Sequence, residues 1–262
     1  MKFRPGPLND NIPLFGMMFS YLDLRNTLDY LDSEVLGIPG NGVFIFTANV
    51  DHTVRFNWDH EFRHAYTVAT MVFPDGMPLI WASWLLGRPL RERVTGIDLL
   101  LGLCHLADRK RYPCFFLGAE EDTLALAVSR LRQQFPNLPI AGYHHGFFDN
   151  DREVLALIQE ARPSILFVGM GSPKQEQWIS AHQQHFNCRI VLAVGGSFEV
   201  VGGRKPRAAL WIQIVGLEWL WRLLLEPRRL WKRYLVADLR FIFLLAFELW
   251  SLRVRPHLSE GL

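Results

Sequence analysis

The chain has 262 residues, half of them apolar, and a formal net charge of +2 from 28 basic and 26 acidic side chains. That length and apolar content suit one large domain, or one domain with an appendage, around a substantial core, and so near a charge balance excludes polyanion binding over the whole surface. Three cysteines, Cys104, Cys114 and Cys188, form no CxxC pair and argue against a disulfide framework, which favours the cytosol.

The opening MKFRPGPLNDN lacks the apolar run of a signal peptide, and no stretch supplies the roughly 18–20 uninterrupted apolar residues of a membrane-spanning helix. Residues 12–19 are apolar and strand-like, and 26–36 predict a short helix. Residues 44–46 read as a strand that stops in Thr47-Ala48-Asn49, with a helix after it near 59–68. A second strand at 71–73 stops in Pro74-Asp75-Gly76, after which Leu79, Ile80, Ala82 and Leu86 recur at helical spacing. A helix near 97–107 leads to a strand at 114–117, and Leu124, Val128, Leu131 and Phe135 mark the next helix. Strands at 140–143, 165–168 and 190–194 alternate with helices at 154–158 and 175–182. This repeated alternation predicts an α/β fold, a Rossmann-like, mainly parallel sheet with helices on both faces. Near 202–205 the composition turns glycine-rich and then basic, which divides the chain into an α/β domain, 1–202, and a helical appendage, 203–262, dense in Trp, Leu and Arg.

In open parallel sheets ligands bind beyond the carboxyl ends of the strands, so Thr47, Asn49 and Asp75 are candidates for one shared site, with Arg88, Arg91 and Arg93 close enough in sequence to bring positive charge. Asp75 could be a general base or an N-cap for the helix after it, and from one residue the cap is the simpler account. Thr47 and Asn49 could equally satisfy loop backbone. Gly169-Met170-Gly171-Ser172-Pro173-Lys174-Gln175 follows a strand and opens a helix, where glycines admit a ligand to backbone N–H groups and the helix start favours a phosphate. It is neither a Walker A nor a GxGxxG sequence. Gly195-Gly196-Ser197 is a second such turn, able to line the same crevice. Asp149-Asn150-Asp151 has a spacing that can hold a divalent ion, but it precedes a helix and capping explains it more simply. His144-His145 lacks further ligands at metal spacing. No metal and no cofactor is expected.

The segment from Gly216 to Leu235 threads cations among Leu and Trp around a helix, a composition suited to the headgroup layer of an anionic membrane surface. The apolar run 241–247 is bracketed by Asp238, Arg240 and Glu248, so it should lie on a membrane rather than cross it. An oligomer interface or a docking helix is the competing account, which leaves homo-oligomers open. Cations interleaved with apolar residues argue against nucleic acid as a partner.

Together these segments resemble the WecG/TagA/CpsF family of bacterial glycosyltransferases. The resemblance is carried in order by TAN at 47–49, PDG at 74–76, RVTGID at 93–98, GYHHGFF at 142–148, GSPKQE at 171–176, VGGSF at 194–198, Arg207-Ala208, GLEW at 216–219 and EPRR at 226–229. It implies an inverting, metal-independent enzyme that moves a hexose from a UDP-sugar, of UDP-glucose or UDP-N-acetylmannosamine type, to a polyprenyl-diphosphate-linked saccharide. The setting implied is cell-surface or exopolysaccharide synthesis at the cytoplasmic face of the bacterial inner membrane, with the enzyme peripheral to it. Asp75 is then the implied base, with Thr47 and Asn49 beside donor and acceptor, Arg93 and Gln175 in the donor site together with the turns at Gly171, Gly195 and Gly196, and Arg222, Arg229 and Arg233 near the diphosphate. Val50-Asp51-His52 and Met77-Pro78 depart from the commonest family residues and bear on donor-sugar identity. A nucleotide-sugar-binding subunit without catalysis is the alternative from another class.

Overall fold

The computed structural model describes residues 11–37, 42–209, 212, 216–225 and 227–254; the side chains of 222, 228–238, 253 and 254 lie outside that description. Six parallel strands form one sheet in the order β4-β3-β8-β7-β5-β6. They are β3 (Val43–Ala48), β4 (Met71–Pro74), β5 (Cys114–Gly118), β6 (Ile140–His144), β7 (Ile165–Gly169) and β8 (Ile190–Ala193). Every residue of β4, β5, β7 and β8 is buried. A strand covered on both faces reads as a continuous apolar run rather than an alternation, which is why these four stand out in the sequence.

Two apolar clusters fill the two sides of the sheet. One gathers α2 (Val50–Trp58), α3 (His60–Ala65), α4 (Met77–Leu85), α7 (Asp151–Ala161) and α8 (Lys174–His182) through Val54, Phe62, Leu79, Ile158 and Ile179. The other gathers α5 (Gly96–Lys110), α6 (Glu121–Gln134) and the short α9 (Ser197–Val201) through Leu99, Leu103, Val128 and Phe198. The expected mainly parallel, two-faced α/β sheet is thus the observed one.

Three local expectations are corrected. Residues 12–19 are not one strand but a hairpin, β1 (Ile12–Leu14) and β2 (Met17–Phe19), turned at Phe15 and Gly16, both with positive φ; that pair of left-handed residues matches the twist of a two-residue hairpin loop. The helix expected at 26–36 is α1 (Leu24–Tyr30) continued by a π-type turn, Leu31–Leu36. The helix expected near 59–68 is preceded by α2, which starts immediately after β3, and ends in a 3-10 turn, Tyr66–Val68.

Beyond Gly203 described parts of the chain pack on the body. A helix at Glu218–Leu225 precedes a longer one at Pro227–Val254. The longer helix lays Phe241 on Phe15, ring centroids 5.1 Å apart, and sets Glu248 so that its carboxylate accepts from the Phe15 N–H at 2.8 Å and pairs with Arg88 at 3.3 Å. No helix among the described residues is long and apolar enough to cross a membrane.

Candidate active site

Val54 of α2 packs on one face of the sheet and Phe198 of α9 on the other, so the chain leaves the neighbouring strands β3 and β8 in opposite directions. A parallel sheet opens a crevice at such a divergence. Here it is a cavity of about 360 Å³ that reaches the carboxyl ends of β4, β3, β8 and β7.

β3 and β4 run in register, Thr47 opposite Phe73 and Ala48 opposite Pro74, so the residues just past them emerge side by side. Thr47, Asn49 and Asp75 all line the cavity. Asp75 is not the cap of α4. The N-cap is Gly76, which makes no side-chain bond, and the Asp75 N–H donates to the Ala48 carbonyl at 2.8 Å. The simpler account of that carboxylate therefore fails, because Met77-Pro78 begins the helix one residue too late for Asp75 to reach its first N–H groups. Asn49 does cap: its Oδ1 accepts from the His52 N–H at 3.1 Å and starts α2. One end of the Asn49 amide is thus spent locally, and its nitrogen is the end a substrate can meet.

The glycine turns form the far wall. Gly171 (φ 78°) and Gly195 (φ 54°) both adopt the left-handed backbone that favours glycine, and a Cβ on either would project into open space. Gln175, 4% exposed, ties these turns together: its Oε1 accepts from the Gly195 N–H at 3.0 Å while its Nε2 donates to Glu176 Oε1 at 2.6 Å. Gly196 and Ser197 complete that side. Beneath the floor, His52 Nδ1 meets the Tyr66 hydroxyl at 2.7 Å. Burial, reinforced by the charges of Glu176, Asp51 and Asp75, drives that hydroxyl well above the ordinary phenol range, so it keeps its proton.

The arginines separate. Arg88 pairs with Glu248 and donates to the Pro13 carbonyl, and Arg91 lies over the Tyr21 ring at 4.9 Å and pairs with Asp23, so neither brings charge to the cavity. Arg93 is not among the lining residues but is held by Glu218 at 2.8 Å; Glu218 itself lines the wall, with Trp221 and Leu225 of the same helix. For Arg222, Arg229 and Arg233 the helical backbone is described, and the side chains lie outside the described residues. His52, Thr95, Lys205, Arg207, Glu218 and Trp221 also line the cavity without having been singled out as site residues. Arg207-Ala208 and GLEW were visible as motif segments, but nothing local in them says that they fold back over the sheet.

Two other candidates are accounted for by structure. Asn150 caps α7 through the Arg152 N–H, and Asp151 accepts from the Trp178 indole at 2.7 Å, so the 149–151 triplet serves helix and core. The His144 and His145 rings lie 4.4 Å apart, tilted by 31°, beside Gly146, whose carbonyl accepts from Lys174 at 2.9 Å.

The sequence profile of the Glycosyl transferase WecG/TagA/CpsF family matches residues 12–255. The chain belongs to that family. A relative from Bacillus spizizenii, an N-acetylglucosaminyldiphosphoundecaprenol N-acetyl-beta-D-mannosaminyltransferase, is 34% identical over 220 residues, covering 80% of this chain and 85% of its own length. A protein of the same name from Staphylococcus aureus is 32% identical over 224 residues, covering 85% and 86%. Of the segments that carried the resemblance, TAN, PDG, RVTGID, GSPKQE, VGGSF, Arg207-Ala208 and GLEW all put residues on the cavity wall, whereas GYHHGFF does not.

Proposed function

We propose that this glycosyltransferase moves a hexose from a UDP-sugar to a polyprenyl-diphosphate-linked saccharide by a single inverting displacement, with Asp75 as the base. One observation carries the reading: a carboxylate that is not used as a helix cap lines, beyond β4, a cavity that is lined beyond β8 and β7 by two glycine turns. The acceptor hydroxyl loses its proton to Asp75 as its oxygen bonds to the anomeric carbon, and the bond from that carbon to UDP breaks on the other face. Proton removal of this kind is worth typically about 10²–10⁴-fold. The charge that grows on UDP must be met by cations and by N–H groups around the turns, preorganised where water is excluded. In this reading Thr47 and the Asn49 amide nitrogen orient the sugars. Gln175 shapes the donor wall through Gly195, and Arg93 acts through Glu218 by seating the Glu218–Leu225 helix. The basic side chains Arg222, Arg229 and Arg233 on the following turns would close over the diphosphate.

The relatives' names make an N-acetylmannosamine donor and an N-acetylglucosaminyl-diphosphate lipid acceptor the first pair to test, with UDP-glucose next. Incubating the purified chain with a panel of UDP-sugars and a short-chain lipid acceptor should yield one glycosylated lipid of inverted anomeric configuration. UDP binding without product from any donor would replace this reading with that of a non-catalytic binding subunit.

We also propose that residues from about 203 onward serve as both wall of the site and membrane anchor, holding the enzyme on the cytoplasmic face of the membrane that carries its acceptor. Within the Pro227–Val254 helix Phe241, Leu244, Leu245, Leu249 and Leu252 pack on the body, while Leu239, Ile242, Phe243, Phe247 and Trp250 recur at helical spacing on the outer face, each 57–65% exposed. Trp84 and Leu85 of α4 are exposed as well, and Arg88, just after them, pairs with that same helix at Glu248. An apolar stripe of this kind suits the boundary between headgroups and acyl chains.

A further inference from the structure

Among the described residues, the cavity wall that a diphosphate would meet carries more carboxylates than cations. Among the lining residues Asp75, Glu199 and Glu218 are carboxylates, and Lys205 and Arg207 are the lysine and arginine. Arg93 is engaged by Glu218, and Lys205 lies 3.7 Å from Glu199.

Arg207 is held differently. Its Nη2 donates to Asp98 Oδ1, and the other Asp98 oxygen accepts from the Thr95 hydroxyl at 2.6 Å. Thr95 is the N-cap of α5 and takes the Asp98 N–H at 3.2 Å, so the carboxylate is fixed at a helix start by two reciprocal bonds. That helix start abuts both strand ends of the crevice: a Cβ on Gly96 would stand 3.4 Å from the Val194 backbone and 3.5 Å from Thr47 Oγ1. The guanidinium is therefore anchored to a helix whose first residue sits against the ends of β3 and β8. Its Nε is buried with no acceptor among the described residues. A buried donor left unsatisfied carries a penalty of about 1–3 kcal/mol, so a small shift of the guanidinium on binding that brings Nε an acceptor, such as a phosphate oxygen, is favoured. The pair is still reachable, with side-chain exposures of 27% for Arg207 and 23% for Asp98.

We propose that Arg207 is a binding residue for the donor diphosphate, oriented by the Thr95–Asp98 pair; this rests on the UDP-sugar reading above. An arginine suits the task because its planar fork keeps donors aimed at a phosphate after one arm has been given to a carboxylate, which an ammonium cannot do. Asp98 is in this account a positioning residue.

Calorimetric titration of the full chain with UDP and with uridine separates the contribution of the diphosphate from that of the base. Arg207→Gln should weaken UDP binding by roughly 10–100-fold, the range for losing a charge-assisted hydrogen bond, and leave uridine binding and the melting temperature as in the parent. Arg207→Lys should recover part of the loss. Asp98→Asn should raise the KM for the donor with kcat little changed. UDP binding by Arg207→Gln within about twofold of the parent overturns the assignment, as does an equal fall for UDP and uridine. If the parent itself binds no UDP, the donor reading falls and this inference with it; if the parent binds and transfers while Arg207→Gln does the same, only the Arg207 assignment falls.

Discussion

Replacing Asp75 by Asn separates chemistry from architecture, because the amide keeps the shape of the carboxylate and the side chain is not the cap of α4. Its backbone N–H, which holds the Ala48 carbonyl at 2.8 Å, is untouched by the change, and α4 is capped by Gly76. The penalty of about 0.5–2 kcal/mol for losing a helix cap therefore does not arise, and the variant should lie within about 0.5 kcal/mol of the parent, about 2 °C in melting temperature for a chain of this size. Transfer should fall by about 10²–10⁴ in kcat, which is about 2.7–5.4 kcal/mol of lost transition-state stabilisation, with the donor KM close to the parent's. The assay is initial-rate release of UDP against donor concentration, with melting followed in parallel. Asn49→Ala is the internal contrast: Asn49 does cap α2, so that variant should lose about 1 kcal/mol of stability. Retention of more than a tenth of kcat by Asp75→Asn, or a melting drop like that of Asn49→Ala, refutes the assignment of Asp75 as base.

The buried thiols predict an alkaline limit. Burial pushes the Cys188 thiol up to about 12 from an ordinary 9.0 and lifts Cys104 and Cys114 as well. In the unfolded chain these thiols ionise near pH 9, so above that pH the folded state holds more protons. The stability they contribute is present below pH 9 and is lost, at about 1.4 kcal/mol per pH unit for each group, as pH rises toward 12. Urea midpoints should be flat from pH 6 to 8 and decline beyond 9, less steeply in Cys188→Ala. Rapid reaction of three thiols with Ellman's reagent in the native protein at pH 8 would contradict this. A third expectation concerns the C-terminal helix. Phe243→Ser with Phe247→Ser should leave melting unchanged, since both rings are exposed, and should weaken co-sedimentation with anionic liposomes by on the order of tenfold or more, given about 1.5–3 kcal/mol per buried side chain. Unchanged liposome binding removes that face from the membrane reading.

What the sequence revealed and what it concealed divide along the range of the forces involved. Strand ends are local: a continuous apolar run broken by Thr-Ala-Asn or Pro-Asp-Gly announces where a buried strand stops, and because parallel neighbours stop on the same side, positions 47, 49, 75, 171 and 195 could be gathered before any coordinates. Glycine turns are legible for a similar reason, since a positive φ is a demand on one residue. α2 was not legible, because VDHTVRFNW mixes β-branched and polar residues with no clear apolar stripe, and its start depends on Asn49 turning its side chain onto His52. Charge pairing was hidden most completely. Arg88, Arg91 and Arg93 lie within six positions, 88–93, yet they go to Glu248, Asp23 and Glu218, carboxylates from three separate parts of the chain. Proximity in sequence fixes which elements can carry charge, but the partner is chosen by how those elements pack. A cation's role at this site therefore follows from which carboxylate already holds it: Arg93, committed to Glu218, secures the wall, while Arg207, held by Asp98 with its Nε unsatisfied, is among the described residues the arginine on that wall that we propose receives a phosphate.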